Sequence, residues 1–169
     1  MENEIWKTIN GFNYYKISNL GQVKNIRTNK ILKLSINKGG YLGLGLKNNN
    51  NKTQQKRIHR ILGESLIENP FNLPLIDHID NDRLNNNLSN LRWVDYTENC
   101  MNTRKRISNT SSQYKGVYKT KSNKWCASIR LNYKKIHIGT FATEDEAGNA
   151  YNKYATEIYE TFACLNVIN

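Results

Sequence analysis

Proline is scarce in this chain. Only Pro70 and Pro74 occur, so most breaks fall to glycine and asparagine, and the two prolines mark one loop. Cysteine is scarce too: Cys100, Cys126 and Cys164 stand far apart and form no CxxC pair. That spacing argues against a zinc ribbon or finger and leaves free thiols, as in a reducing cytoplasm. No apolar run approaches the ~20 residues of a membrane span, and MENEIWKTING lacks the basic start and apolar stretch of a signal peptide. Neither a membrane partner nor secretion is therefore expected. Acid is the last deficit: 14 Asp and Glu stand against 25 Lys and Arg, a net charge of +11. A surplus of that size favours a polyanionic partner, most simply nucleic acid.

The charges are unevenly spread. No acidic residue lies between Glu4 and Glu64, and none lies between Glu98 and Glu144. Two basic blocks flank a centre that carries its own carboxylates. The pattern suggests two gripping surfaces around a working site.

Residues 1 to about 50 read as short strands and turns. YYKIS, QVKNI, ILKLSI and YLGLGL carry short or alternating apolar runs, punctuated by Gly and Asn. KNNNNKTQQK reads as a polar loop. In RIHRILGESLI, Ile58, Ile61, Leu62 and Leu66 recur at helical spacing. Residues 75–79 and 91–94 read as two strands with an Asn-rich connection, followed by a helix that Asp95 and Glu98 would cap. Beyond residue 113, three strands are expected in YKGVY, KWCASIRLN and KKIHIGTF. In the second, Trp125, Ala127, Ile129 and Leu131 share one face and Lys124, Cys126, Ser128 and Arg130 the other. Thr143 then opens a helix whose Glu146 completes a capping box, with Ala147, Ala150, Tyr151, Tyr154, Ala155 and Ile158 as its apolar stripe. A helix on one face leaves the opposite face of the sheet open and basic.

The chemistry concentrates in residues 77–99. Hydrolysis of a phosphodiester needs a base with a pKa near neutral, and His78 qualifies. The phosphoryl and leaving oxygens gain charge, which a hard divalent cation on oxygen ligands offsets. Asp77 can give a carboxylate oxygen and Asn99 a carboxamide oxygen. Asn90 can hydrogen-bond backbone and hold the hairpin in shape. Adjacent residues in a regular strand point to opposite faces, so Asp77 and His78 can serve one phosphate only if the strand end is irregular.

DHIDNDRLNNNLSNLRWVDYTEN closely resembles the HNH homing endonucleases of phages and viruses, with their ββα-metal core. The match rests on Asp77-His78, on Asn90 in NLRWV and on Asn99 in EN, and IHRILGESLIENPFNLPLIDH resembles the segment leading into that core. The resemblance implies Asp77 and Asn99 as ligands of one Mg2+ or Mn2+, His78 as general base and Asn90 as the brace of the loop. The motif ends in Asn99 where a second His also occurs in such nucleases. His59 reads as structural. EIWKTINGFNYYKISNLGQVKN resembles the small module often joined to these nucleases. Trp6, Phe12, Tyr15, Ile17, Leu20 and Val23 would form its core, and Lys16, Lys24, Arg27, Lys30 and Lys33 are candidates for phosphate contact. Residues 112–166 resemble the DNA-binding domain of plant ethylene response factors, through KGV, KW, IR, IGTF and the acidic helix start. That family lays its sheet in the major groove, which implies Lys115, Tyr118, Thr120, Ser128, Arg130, Lys135 and His137 on the DNA-facing side. Plant domains carry more Arg there, so their GC-rich target does not transfer. Arg130 is the candidate for a base edge and the lysines for phosphate.

These readings define an α+β chain: a β-rich N-terminal module (1–50), an HNH ββα-metal core (51–104), a basic linker (105–111) and a C-terminal three-stranded antiparallel sheet packed on one helix (112–169). The expected activity is site-specific cleavage of double-stranded DNA by a monomer inside the host cell, in the cytoplasm or, in a eukaryotic host, the nucleus. The rival is a catalytically inactive, sequence-specific DNA-binding regulator. An RNA-binding role is disfavoured because no exposed aromatic platform for single strands is evident.

Overall fold

The computed structural model describes residues 3–105 and 110–168. Its contacts divide the chain into two compact units, Met1–Asp95 and Tyr96–Asn169. Most of the linker expected at 105–111 lies outside the described residues.

The first unit opens with an antiparallel sheet of β1 (Trp6–Ile9), β2 (Phe12–Ser18) and β3 (Val23–Asn25), in that order. Phe12, Tyr15, Ile17 and Val23 are buried as expected. Leu20 is not: it sits in the turn between β2 and β3 and is 57% exposed. A second sheet follows, with β4 (Ser35–Ile36), β5 (Leu42–Lys47) and β6 (Thr53–Arg57). β6 overturns the reading of KNNNNKTQQK as a loop throughout. Thr53–Arg57 has almost no apolar signal, yet it pairs residue for residue with β5, from Gly43 opposite Arg57 to Lys47 opposite Thr53. The pairing is fixed by the turn, where Asn48 Oδ1 accepts from the backbone N–H of Asn50 and Lys52. This hairpin crosses the boundary expected at residue 50.

Helix α1 (Ile58–Leu66) buries Ile58, His59, Ile61 and Leu62. Each aliphatic side chain so enclosed contributes roughly 1.5–3 kcal/mol. Against it lies the hairpin of β7 (Leu75–His78) and β8 (Leu91–Val94), paired antiparallel from Leu75 opposite Val94 to His78 opposite Leu91. Gly63 makes the approach possible: a Cβ there would stand 2.0 Å from Ile76 Cδ1. Both sheets, α1 and the hairpin share one core, which includes Ile17, Leu46, Ile61, Ile76 and Leu91.

The second unit begins with α2 (Tyr96–Met101) and continues into a sheet of β9 (Val117–Lys119), β10 (Trp125–Leu131) and β11 (Lys134–Phe141), with β10 central. α3 (Glu144–Tyr159) covers one face. Its start is as expected: Thr143 Oγ1 accepts from Glu146 N–H, and the Glu146 carboxylate accepts from the Thr143 and Ala142 N–H groups. Val117, Ala127, Ile129, Ala147, Tyr151 and Ala155 form the core beneath it. Gly116, at φ +78°, passes under Tyr151, where a Cβ would lie 2.2 Å from the ring. Among the described residues no helix is long and apolar enough to cross a membrane.

Candidate active site and nucleic-acid surface

The Asn-rich connection between β7 and β8 is a hydrogen-bonded scaffold. Asn90, in a 3-10 turn (Leu88–Asn90), donates through Nδ2 to Asp80 Oδ1 at 2.9 Å and to the Asn85 carbonyl at 2.8 Å. Its Oδ1 accepts from the Asp80 N–H at 3.1 Å, and its carbonyl accepts from Ile79. The Asp80 carboxyl lies below the ordinary value. Desolvation pulls the other way, but hydrogen bonds from the Asp82 N–H and the Asn85 and Asn90 amides, with His78 nearby, outweigh it.

β7 keeps its register to its last residue, His78, where the chain turns at once: the Asn81 N–H donates to the His78 carbonyl at 2.9 Å, with Asn81 at φ +60°, so the Asp77-His78 pair sits at an irregular strand end. Ile76 and His78 are buried; Leu75 and Asp77 are half-buried. The Asp77 carboxylate meets its cross-strand neighbour Arg92, whose Nη2 and Nε lie 3.1 and 3.3 Å from Oδ2. His78, 5% exposed, contacts Asn86 instead, with Nε2 3.1 Å from Oδ1. An amide oxygen only accepts, so Nε2 carries the proton in this arrangement and Nδ1 is the basic nitrogen. Neither Asn86 nor Arg92 was singled out from the sequence. Arg92 could have been found by pairing the two strands; Asn86 is one asparagine among many.

His59 packs beside His78, ring centroids 4.9 Å apart, and Tyr41 lies 4.9 Å from His59 and 6.1 Å from His78. His59 is 4% exposed and its Nδ1 has no hydrogen-bond partner. Burial, reinforced by His78, Arg57 and Arg60, pushes its pKa down to about 3. It is a neutral ring at any ordinary pH, which agrees with the structural role read for it.

Asn99 stands on α2 in the second unit. Its carbonyl accepts from Thr103 Oγ1, while its carboxamide makes no hydrogen bond among the described residues. The Asp77 carboxylate in the first unit and the Asn99 carboxamide in the second are each hard oxygen donors, the type that Mg2+ or Mn2+ takes. Among the described residues no three His, Cys, Asp or Glu side chains gather into a metal-binding group, so a zinc-type donor set is absent there.

On the second unit's sheet, the face opposite α3 is less open than the sequence suggested. Arg130 and Lys135 are paired across β10 and β11 and exposed, and Lys135 Nζ lies 4.3 Å from the centre of the exposed Tyr118 ring. His137 is exposed and its Nδ1 is 3.2 Å from the buried Cys126 Sγ. Ser128 is a correction: it is 8% exposed. It lies against the Gly116 turn, whose carbonyl accepts from both its N–H and its hydroxyl. Lys115 is half-buried. Its ammonium donates to the Met101 carbonyl, and burial holds it below the usual lysine range. Thr120 is spent on the β9–β10 turn, bonded to Lys124. Arg130, Lys135, Tyr118 and His137 thus form the accessible part of the expected surface. Arg130, Lys135, Lys115 and Ser128 also line a cleft of about 600 Å³.

A hairpin with Asp-His closing its first strand and an amide-braced connection, followed along the chain by an Asn-bearing helix, has the order of elements of an HNH nuclease. The HNH endonuclease family model matches residues 74–101, and the NUMOD4 motif matches residues 4–47. The chain belongs to the HNH endonuclease family. It is 36% identical over 121 residues to the DNA endonuclease I-HmuI of Bacillus phage SP01, a match covering 70% of this chain and 68% of that protein. The solved structure described as DNA binding and cleavage by the HNH homing endonuclease I-HmuI aligns with a TM-score of 0.51 at 35% identity, over 59% of this chain and 56% of that one. The uncharacterized HNH endonuclease L247 of Acanthamoeba polyphaga mimivirus is 45% identical over 102 residues, 58% of this chain, and the match spans only 25% of that protein's length. A shorter similarity joins 53 residues, 31% of the chain, at 42% identity to the ethylene-responsive transcription factor-like protein At4g13040 of Arabidopsis thaliana.

Proposed function

We propose that the chain is a divalent-metal-dependent DNA endonuclease of the homing type, hydrolysing phosphodiester bonds of double-stranded DNA. His78, held through Nε2 by Asn86, accepts through Nδ1 a proton from the water that attacks phosphorus. The bond from phosphorus to the 3′ oxygen breaks, the departing oxygen takes a proton from solvent, and the products are a 5′ phosphate and a 3′ hydroxyl. Asp77 and Asn99 would hold the Mg2+ or Mn2+, which when bound offsets charge on the scissile phosphate. Arg92 keeps the Asp77 carboxylate oriented and Asn90 fixes the loop that carries the site. In the second unit, Arg130 reads a base edge while Lys135 and its neighbours grip phosphate.

The observation that carries this reading is the His78–Asn86 contact inside the Asn90-braced connection, which presents an imidazole in one tautomer at a strand end. The test is selection of cleaved sites from a host-genome or random DNA library with Mg2+, repeated with His78→Ala. Cleavage by the wild type, lost in the variant while DNA binding is kept, supports the enzyme. A wild type that binds its selected site yet leaves it intact with both Mg2+ and Mn2+ supports the non-enzymatic regulator.

A further inference from the structure

Four arginines surround the β7–β8 hairpin and its supporting sheet, and they fall into two classes. Arg60 and Arg92 are occupied by carboxylates, Glu64 at 3.5 Å and Asp77 at 3.1 Å. Arg57 and Arg83 have no ion pair among the described residues, and both are exposed. They come from separate places, Arg57 from the end of β6 and Arg83 from the connection after β7, yet both stack on one ring. Their guanidinium carbons lie 4.6 and 4.8 Å from the centre of Tyr41. Arg83 is further fixed by donation from Nη1 to the Gly39 carbonyl at 2.7 Å.

Two like charges drawn to one aromatic side chain repel each other, and no carboxylate paired with either offsets that cost. Stacking orients a guanidinium while leaving its N–H edge available, and that planar fork matches two phosphate oxygens. The ring they share also lies 6.1 Å from His78, across the enclosed His59.

We propose that Arg57 and Arg83, braced on Tyr41, form a clamp for the DNA backbone beside His78, each guanidinium gripping one phosphodiester group. It is a substrate-positioning site supplied by the second sheet of the first unit together with the β7–β8 connection. The assignment rests on the nuclease reading for its role in cleavage, but not for its affinity for DNA.

The test uses the whole chain and a fixed DNA duplex. Affinity is measured across a range of salt concentrations in EDTA, so that no cleavage occurs. Replacing both arginines (Arg57→Gln with Arg83→Gln) should lower the slope of log affinity against log salt by about 2, one counterion for each lost phosphate contact, and weaken binding evenly across sequences. A control with Lys47→Gln and Lys52→Gln, which remove two charges elsewhere on the β5–β6 hairpin, should change the slope by less than half as much. A slope unchanged in the arginine variant, or equally changed in the control, overturns the clamp. The pair Arg57→Lys and Arg83→Lys, which retains the charge, should keep the slope while affinity falls severalfold; unaltered affinity overturns the paired geometry. With Mg2+ present, a wild type that never cuts removes the nuclease reading and leaves the clamp standing if the slope falls. A wild type that cuts, with an arginine variant that matches it in both slope and rate, removes the clamp and keeps the nuclease.

Discussion

Replacing His59 with leucine should abolish one specific source of acid sensitivity. The folded chain holds this imidazole neutral, with a pKa pushed to about 3, whereas the unfolded chain lets it titrate near 6.5. Between those values the unfolded state binds more protons, so stability falls as pH drops. The deficit from this residue alone is negligible at pH 8, about 0.8 kcal/mol at pH 6 and about 2 kcal/mol at pH 5. His59→Leu removes it. At pH 8 the substitution itself should cost less than about 1.5 kcal/mol, because the volumes are similar and Nδ1 gives up no hydrogen bond. The assay is urea unfolding followed by tryptophan fluorescence, Trp6 and Trp93 reporting on the first unit, at pH 8, 6 and 5. Other groups shift both proteins alike, so the difference between them isolates His59. The gap should close by about 2 kcal/mol in the variant's favour from pH 8 to pH 5. Curves that fall in parallel would refute the neutral, enclosed imidazole.

Gly116→Ala should destabilise the second unit by on the order of 3 kcal/mol, since it combines a left-handed backbone with a methyl driven into Tyr151. Loss of less than about 1 kcal/mol in denaturation followed at Trp125 would contradict that packing. Thr143→Ala, which opens the capping box of α3, should cost about 1 kcal/mol in the same measurement. Arg130→Ala should reduce discrimination at one base pair by about 1–3 kcal/mol in a binding-site selection, with a profile identical to wild type removing Arg130 from the reading set.

The parts of the fold that were legible in the sequence share a strong local signal. α3 was set by Thr143, Glu146 and an apolar stripe, α1 by Ile58, Ile61, Leu62 and Leu66, and the β7–β8 hairpin by two short apolar runs. β6 was missed because Thr53–Arg57 is almost wholly polar and becomes a strand only through its partner. β1 was missed for a similar reason, as Trp6–Ile9 is too short to display a period before it pairs with β2. Ser128 differs from the expectation because alternation gives the face a side chain takes and not what covers it, and the Gly116 turn covers this one. In the candidate site, the sequence offers the residue types that the proposed chemistry would use, but not their supports. Arg92 against Asp77, Asn86 against His78 and the stacked rings behind them arise from pairing between segments that are distant in sequence.

Gly63 has a consequence for how this chain can change over generations. The helix and the hairpin meet where a missing methyl on one is filled by Ile76 of the other. A descendant that acquired a side chain at position 63 would have to trim the one at 76, and a trimmed Ile76 would leave room for the reverse. The two positions should therefore drift as a pair, and their joint history would record how far the Asp77-His78 strand has been allowed to move.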